Sequence, residues 1–389
     1  MNHVSRRTFV AGIGGAAALT QFAPAFAADA AAPQDVAFVE SSAADLAGLK
    51  RVVVSNFVLS FQTQAKVTKE GGKFINRNDM TAWNYWNNVD TAVLQQIADG
   101  ALAGLKGDLK AKGLEVLDEV ALKNVPAYQN IVAKMGYDNY AQYGNRDGAA
   151  TFVSASTLTP YQNYALEMGN WDRFENTQGF TKGTGNLPSA MKGVGVWQLP
   201  GWEIETAKAL DAALVKAFYV VNFSELEAGS SISDFGRADL YDWDGDGYHE
   251  GTVEYSAQAR AFARLRQDIT RIAFRLPNSA KKMGYKVSNY PDNKINPPKD
   301  GDVVINIGKP VPVGSKFFEV AEGEAPKIGL LGLGGGNSGN ASPFSIKGPR
   351  GQGYAAFNTS VTDYDLYQKA LSGNLSKMQH VLIDAAFPA

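Results

Sequence analysis

Residues 51–61 open on a run of apolar side chains, Val52, Val53 and Val54, and then partly alternate through Phe57, Leu59 and Phe61. Such a run, apolar on both faces, predicts a strand buried in the middle of a sheet. Residues 66–89 are polar and aromatic and predict a loop or hairpin excursion. From Asp90 the period changes. Leu94, Ile97, Ala98, Ala101, Leu102, Leu105 and Leu109 recur at intervals of three and four, which is one buried face of a helix. Asp90 stands where an N-cap is needed and Gly113 where the C′ glycine belongs, with the strand Leu114-Glu115-Val116-Leu117 directly after it.

Pro126 and Gly136 bracket a second helix, because proline suits a first helical turn and glycine an end. Residues 149–158 predict a strand, whereas 160–203, rich in Asn, Gln, Gly, Trp and Tyr, carry no period. A helix over 203–212 feeds a strand over 217–223. Residues 252–274 fit either a long strand or a helix, and Arg260, Arg264, Arg266 and Arg271 leave that choice open. Short strands fall at 303–307 and 317–320, inside a Pro- and Gly-rich stretch from 276 to 360. Thr362 or Asp363 caps a terminal helix whose stripe runs through Leu366, Tyr367, Ala370 and Leu371. Gly373 is a candidate break before Leu375, Met378, Val381 and Leu382 continue it.

The sum is an α/β or α+β protein: a mixed β-sheet flanked by helices, with a long loop-rich, β-rich C-terminal half. Residues 28–228 form the α/β domain. Residues 229–389 form a β-rich, Gly/Pro-rich region closed by the terminal helix, which either stands apart or completes the same domain.

The first 27 residues read as an address. Ser5-Arg6-Arg7-Thr8-Phe9-Val10 is a twin-arginine pattern, the stretch to Leu19 is apolar, and Ala25-Phe26-Ala27 is a cleavage site that starts the mature chain at Ala28. This predicts export to the periplasm or beyond. No later stretch reaches the ~18 apolar residues of a membrane-crossing helix, so a soluble mature protein with no transmembrane segment is expected. Losing Arg6 and Arg7 from 37 basic residues leaves 35 against 39 acidic ones, a net charge of −4 that offers nothing to nucleic acid.

Composition works by subtraction. The chain has no cysteine, which removes disulfides, iron–sulfur clusters, thiolate zinc sites, thiol nucleophiles and lipidation. Three histidines, His3, His249 and His380, are too few for a histidine-rich metal site. The sharpest motif is Asp242-Trp243-Asp244-Gly245-Asp246-Gly247-Tyr248-His249-Glu250. Oxygen ligands at alternate positions followed by a glycine turn are what Ca²⁺ requires, with Asp242, Asp244, Asp246, the Tyr248 carbonyl and Glu250 as the candidate ligands. Position twelve is Val253, where a calcium loop carries a bidentate Glu, so the alternative is a bare Asp-Gly hairpin turn. Trp83, Trp86 and Trp171 lie among amide and carboxylate side chains. Flat rings beside planar hydrogen-bonding groups are suited to gripping a glycan; equally, such rings anchor long loops to a core. The G-x-G-x-x-G at Gly334, Gly336 and Gly339 lacks a following helix, since Pro343 and Pro349 intervene, and reads as a flexible loop.

The strand at 51–61, the helix from Asp90 and the segment Leu109-Lys110-Ala111-Lys112-Gly113-Leu114-Glu115-Val116-Leu117 together resemble the α/β domain shared by the N-terminal part of TolB and the curli secretion lipoprotein CsgG. In that group a strand of the form R-V-x-V-x-x-F precedes a helix ending in L-x-x-x-G-L-E-V-L. The resemblance covers about half the mature chain. It implies an envelope assembly or interaction protein, with an envelope partner or self-assembly, and supplies no catalytic residues. The sequence departs from the group in having no lipidation cysteine and no obvious pair of pore-forming amphipathic strands. The functional expectation is therefore an exported envelope protein with a binding or assembly role rather than an enzyme; the alternative is a calcium-dependent hydrolase or glycan-binding protein.

The calcium reading makes a direct prediction. Ca²⁺ at ~100 times its Kd adds about 2.7 kcal/mol to stability, so the melting midpoint should rise with Ca²⁺, fall with chelator, and stay fixed in Asp244→Ala. A midpoint that ignores Ca²⁺ in the unsubstituted protein removes the metal.

Overall fold

The computed structural model describes residues 37–39, 46–71, 78–145, 148–161, 195–232, 253–266, 270–279, 286–287, 295–296, 302–307, 309–323, 346–348 and 352–388. In chain order the elements begin with β1 (Ala37–Val39), β2 (Arg51–Gly71), β3 (Asn78–Trp86), α1 (Thr91–Ala111) and β4 (Glu115–Val116). Next come α2 (Val120–Lys123), α3 (Pro126–Met135), β5 (Gln142–Asn145), β6 (Gly148–Ser154), α4 (Gly195–Leu210), β7 (Ala213–Ile232), β8 (Val253–Leu265) and β9 (Arg271–Arg275). The chain continues with β10 (Lys286–Val287), β11 (Ile295–Asn296), β12 (Val303–Ile307), β13 (Val311–Gly314), β14 (Phe318–Gly323), β15 (Ile346–Gly348), β16 (Gln352–Val361) and α5 (Tyr364–Ala386).

One mixed sheet of 14 strands, with main path β1-β12-β9-β7-β2-β3-β16-β14, carries helices on its faces. The fold class is thus the one the sequence pattern predicts. At its centre β2 and β7 pair in parallel, residues 52–61 against 213–221. Side chains alternate across a strand, so successive residues meet different helices. Tyr219 and Phe274 meet Gln379 and Phe387 at the α5 side, whereas Lys216 and Arg275 meet Glu203 of α4. Both faces are covered, which is why β9 and β12 are buried at every position.

β2 and β7 are 21 and 20 residues long, each about 65–70 Å at ~3.3 Å per residue, and outrun the helices. Beyond residue 61 they part company. β2 pairs over residues 64–71 with β3, and β7 over residues 221–232 with β8. The two resulting layers close on each other through apolar side chains, several of them alanine: Met80, Ala82, Ala257, Ala355 and Phe357 are buried, with Leu226, Ala228 and Val320 packed against them. A polar bridge spans the layers: Asn84 Nδ2 donates to Ser224 Oγ at 2.7 Å, and Thr359 Oγ1 donates to Asn84 Oδ1 at 2.9 Å.

Helix ends follow from local chemistry. Asp90 accepts from the amides of Ala92 and Val93. At the other end Leu114 N–H bonds the Leu109 carbonyl and Gly113 N–H that of Lys110, with Gly113 at φ +80°. That pair of bonds needs the left-handed conformation that glycine reaches without strain. Pro126 opens α3 and Asp363 caps α5 as predicted.

Several expectations are adjusted. The 66–89 excursion is the β2–β3 hairpin. Where one long strand or a helix is expected over 252–274, the described residues form two strands, β8 and β9. α4 begins at Gly195, ahead of its predicted start, although Pro200 lies inside it. β7 starts at Ala213, ahead of the predicted 217. α5 runs unbroken through Gly373, because Tyr367, Leu371, Leu375, Met378 and Leu382 keep one buried stripe on both sides of it. β9, β12 and β16, all from the C-terminal half, lie in the same sheet as β2.

Leu105 of α1 is completely buried in the main core. Leu105→Ala should lower stability by about 2–5 kcal/mol, read from the denaturant midpoint.

Candidate functional site

The described part of the predicted glycan site is closed. Trp83 is 7% exposed and Trp86 5%. Trp83 stacks on Tyr354 at 5.8 Å with the Lys66 ammonium 6.0 Å from its ring. Trp86 packs among Phe223, Phe318 and Tyr367. Both rings thus spend their faces on the protein itself, the anchoring role that large aromatic side chains serve. Trp171 and the calcium candidates Asp242, Asp244, Asp246, Tyr248 and Glu250 lie outside the described residues.

The structure assembles a different constellation, between α4 and the central strands. Leu199, Glu203 and Ala207 are one turn apart on the buried stripe of α4, so a carboxylate takes a place that pattern assigns to an apolar side chain. Beneath it Lys216 of β7 pairs with Ala273 of β9, and Val303 of β12 pairs with Phe274, which brings Asp302 beside Arg275. Lys216 Nζ lies 3.0 and 3.1 Å from the two Glu203 oxygens and 2.6 Å from Asp302 Oδ2. Arg275 Nε lies 2.5 Å from Asp302 Oδ1 and 3.3 Å from Glu203 Oε2. All four side chains are at most 3% exposed. Two cations and two carboxylates balance, which is the condition for burying them at all.

Tyr161 extends the network. Its hydroxyl donates to Glu203 Oε1 at 3.3 Å and lies 3.1 Å from Ser55 Oγ, while its carbonyl accepts from Asn56 Nδ2 at 2.7 Å. Ser55 and Asn56 reach the same tyrosine because the β2–β7 register shifts between Val54 and Asn56. An extra residue in one strand re-aims its side chains in this way. Tyr128 donates to the Ser55 carbonyl at 3.3 Å. Burial, reinforced by Glu203, holds the Tyr161 phenol well above its ordinary range, and burial with Glu119 raises Tyr128. Burial likewise raises Tyr219 and Tyr367. These groups are all buried, so the network holds its charges against one another and out of contact with solvent.

On the surface, His380 lies between Asp108 at 3.5 Å and Asp384 at 3.3 Å and is 63% exposed, in keeping with a surface residue. Lys112 takes the other Asp384 oxygen at 2.8 Å. Burial raises the Asp108 carboxyl, with His380 opposing that shift.

No protein-family model, curated protein or solved structure matches the chain. None of the four buried ions is among the residues the sequence motifs single out. A signal was present in hindsight: Lys216 interrupts the apolar run of β7, and Arg271 and Arg275 flank the apolar Ile-Ala-Phe of β9.

Two outcomes follow. Arg275→Met leaves a buried carboxylate uncompensated and should cost about 3–5 kcal/mol in a denaturant titration. The four phenols Tyr128, Tyr161, Tyr219 and Tyr367 have folded values raised above the ordinary 10.0. The unfolded chain therefore loses these protons first as pH rises, so stability is intact below pH 10.0 and declines above it. Phenolate absorbance from these four residues should appear only together with unfolding.

Proposed function

We propose that this chain is an exported cell-envelope protein with a binding or assembly role, acting through the two-layer strand extension at the far end of β2 and β7. The observation that carries this reading is the extension itself: the two longest strands continue about ten residues past the α/β layers and build a second two-layer unit. A core scaffold needs no such projection, whereas a strand-rich extension presents backbone and side chains to a partner. The twin-arginine leader supports export, and the TolB- and CsgG-like resemblance rests on β2, α1 and β4, with β3 inserted between β2 and α1. Among the described residues no helix is long and apolar enough to cross a membrane.

The test is the solution mass of the protein purified from the envelope fraction, by light scattering, followed by crosslinking. A mass above one chain, or a reproducible crosslinked envelope partner, is the expected result. A strict monomer with no crosslinked partner removes the assembly role. Replacing Arg6 and Arg7 by Lys should leave the unprocessed chain in the cytoplasm; export that persists would remove the twin-arginine route.

A further inference from the structure

The arrangement of Lys216, Asp302 and Glu203 has the components of a self-forming amide cross-link. An amine and a carboxyl group condense when held together without water, and when a neighbouring group can carry protons between them. Each requirement has a residue here. Lys216 Nζ touches Asp302 Oδ2 at 2.6 Å, with both side chains fully buried. Glu203 touches the same Nζ with both of its oxygens and is itself 1% exposed. Arg275 Nε sits 2.5 Å from the other Asp302 oxygen, Oδ1, where negative charge develops when a nucleophile adds to the carboxyl carbon.

We propose that Lys216 and Asp302 join in an intramolecular isopeptide bond, with Glu203 as the proton carrier and Arg275 as the oxyanion partner. A proton leaves the Lys216 ammonium through Glu203 and arrives on Asp302 Oδ2, leaving a neutral amine beside a neutral acid. The Nζ lone pair then adds to Asp302 Cγ, forming the C–N bond and placing charge on Oδ1 against Arg275. Glu203 takes a second proton from Nζ and delivers it to the Oδ2 hydroxyl; the C–O bond breaks and water leaves. An ammonium and a carboxylate become one amide and one water, with no oxidant, reductant or activating group consumed. Charge stays balanced, because the product keeps Arg275 opposite Glu203.

The position gives the bond a purpose. β9 lies between β7 and β12, so the cross-link runs from β7 across the Ala273 position to the residue preceding β12. A chain without cysteine has no disulfide to fasten these strands. Tyr161, held by Ser55 and Asn56, keeps Glu203 aimed at the amine.

Intact-mass spectrometry of the folded, full-length chain decides the matter without any variant. The expected mass is lower than the sequence mass by one water, and protease digestion should yield a branched peptide joining the segments around Lys216 and Asp302. Lys216→Arg and Asp302→Ala should each restore the full sequence mass, and Glu203→Gln, which keeps the shape, should leave most chains uncondensed. A wild-type chain at its full sequence mass, with the two segments recovered as separate linear peptides, overturns the proposal and leaves a non-covalent ion quartet. A lost water that maps to a cyclised aspartate elsewhere overturns it equally. Condensation at an undiminished rate in Glu203→Gln refutes the assignment of Glu203.

Discussion

Parallel pairing of β2 with β7 is the constraint on which the rest of this molecule depends. Two adjacent parallel strands at the middle of a sheet have no face left for water, so apolar side chains appear on both sides and each side must be covered. The cover comes from α1 and α5 on one side and from α4 on the other. Parallel strands also need a long connection, and the chain between β2 and β7 supplies the β2–β3 hairpin, α1, α3 and the β5–β6 pair. Where the parallel register ends, each strand takes an antiparallel partner instead, and the strand-built sandwich begins.

Water is excluded on the α4 side at a place where four ionised groups meet. The arrangement is tolerable only as a balanced set, since removing any one group strands a charge in a medium that cannot solvate it. The same logic operates on a smaller scale between the sandwich layers, where Asn84 satisfies Ser224 and is satisfied by Thr359. Several of the apolar contacts there are alanine, which packs layers close together but discriminates poorly between alternative alignments. A directed polar bridge discriminates well.

Periodicity made part of this legible. The α1 stripe from Leu94 to Leu109 is wholly buried as predicted, and Asp90, Gly113, Pro126 and Asp363 sit at the helix ends where their chemistry belongs. Those features are local, decided by neighbours within a turn or two. What was illegible is decided across the chain. The pairing of β8 and β9 with β7 is decided by distant segments, and the ion quartet draws on α4, β7, β9 and the residue before β12, separated by up to 99 positions, Glu203 to Asp302. Trp83 and Trp86 stood among polar neighbours in sequence yet lie under Tyr354 and Tyr367 in space. Charges inside apolar runs, such as Lys216, were readable as oddities but not as partners.

The placement of β16 and α5 bears on how the chain comes to be folded at all. β16 inserts between β3 and β14, and α5 lays Leu371, Leu375, Met378 and Leu382 into the same core that α1 fills from the other end of the sequence. Asn88, just after β3, holds the Val361 amide and carbonyl together. Synthesis must therefore run through α5 before the buried stripe of α1 gains its full cover. Until then α1 has only β2, β4 and β6 to pack on, and closing the core waits on contacts distant in sequence, which slow folding in any topology.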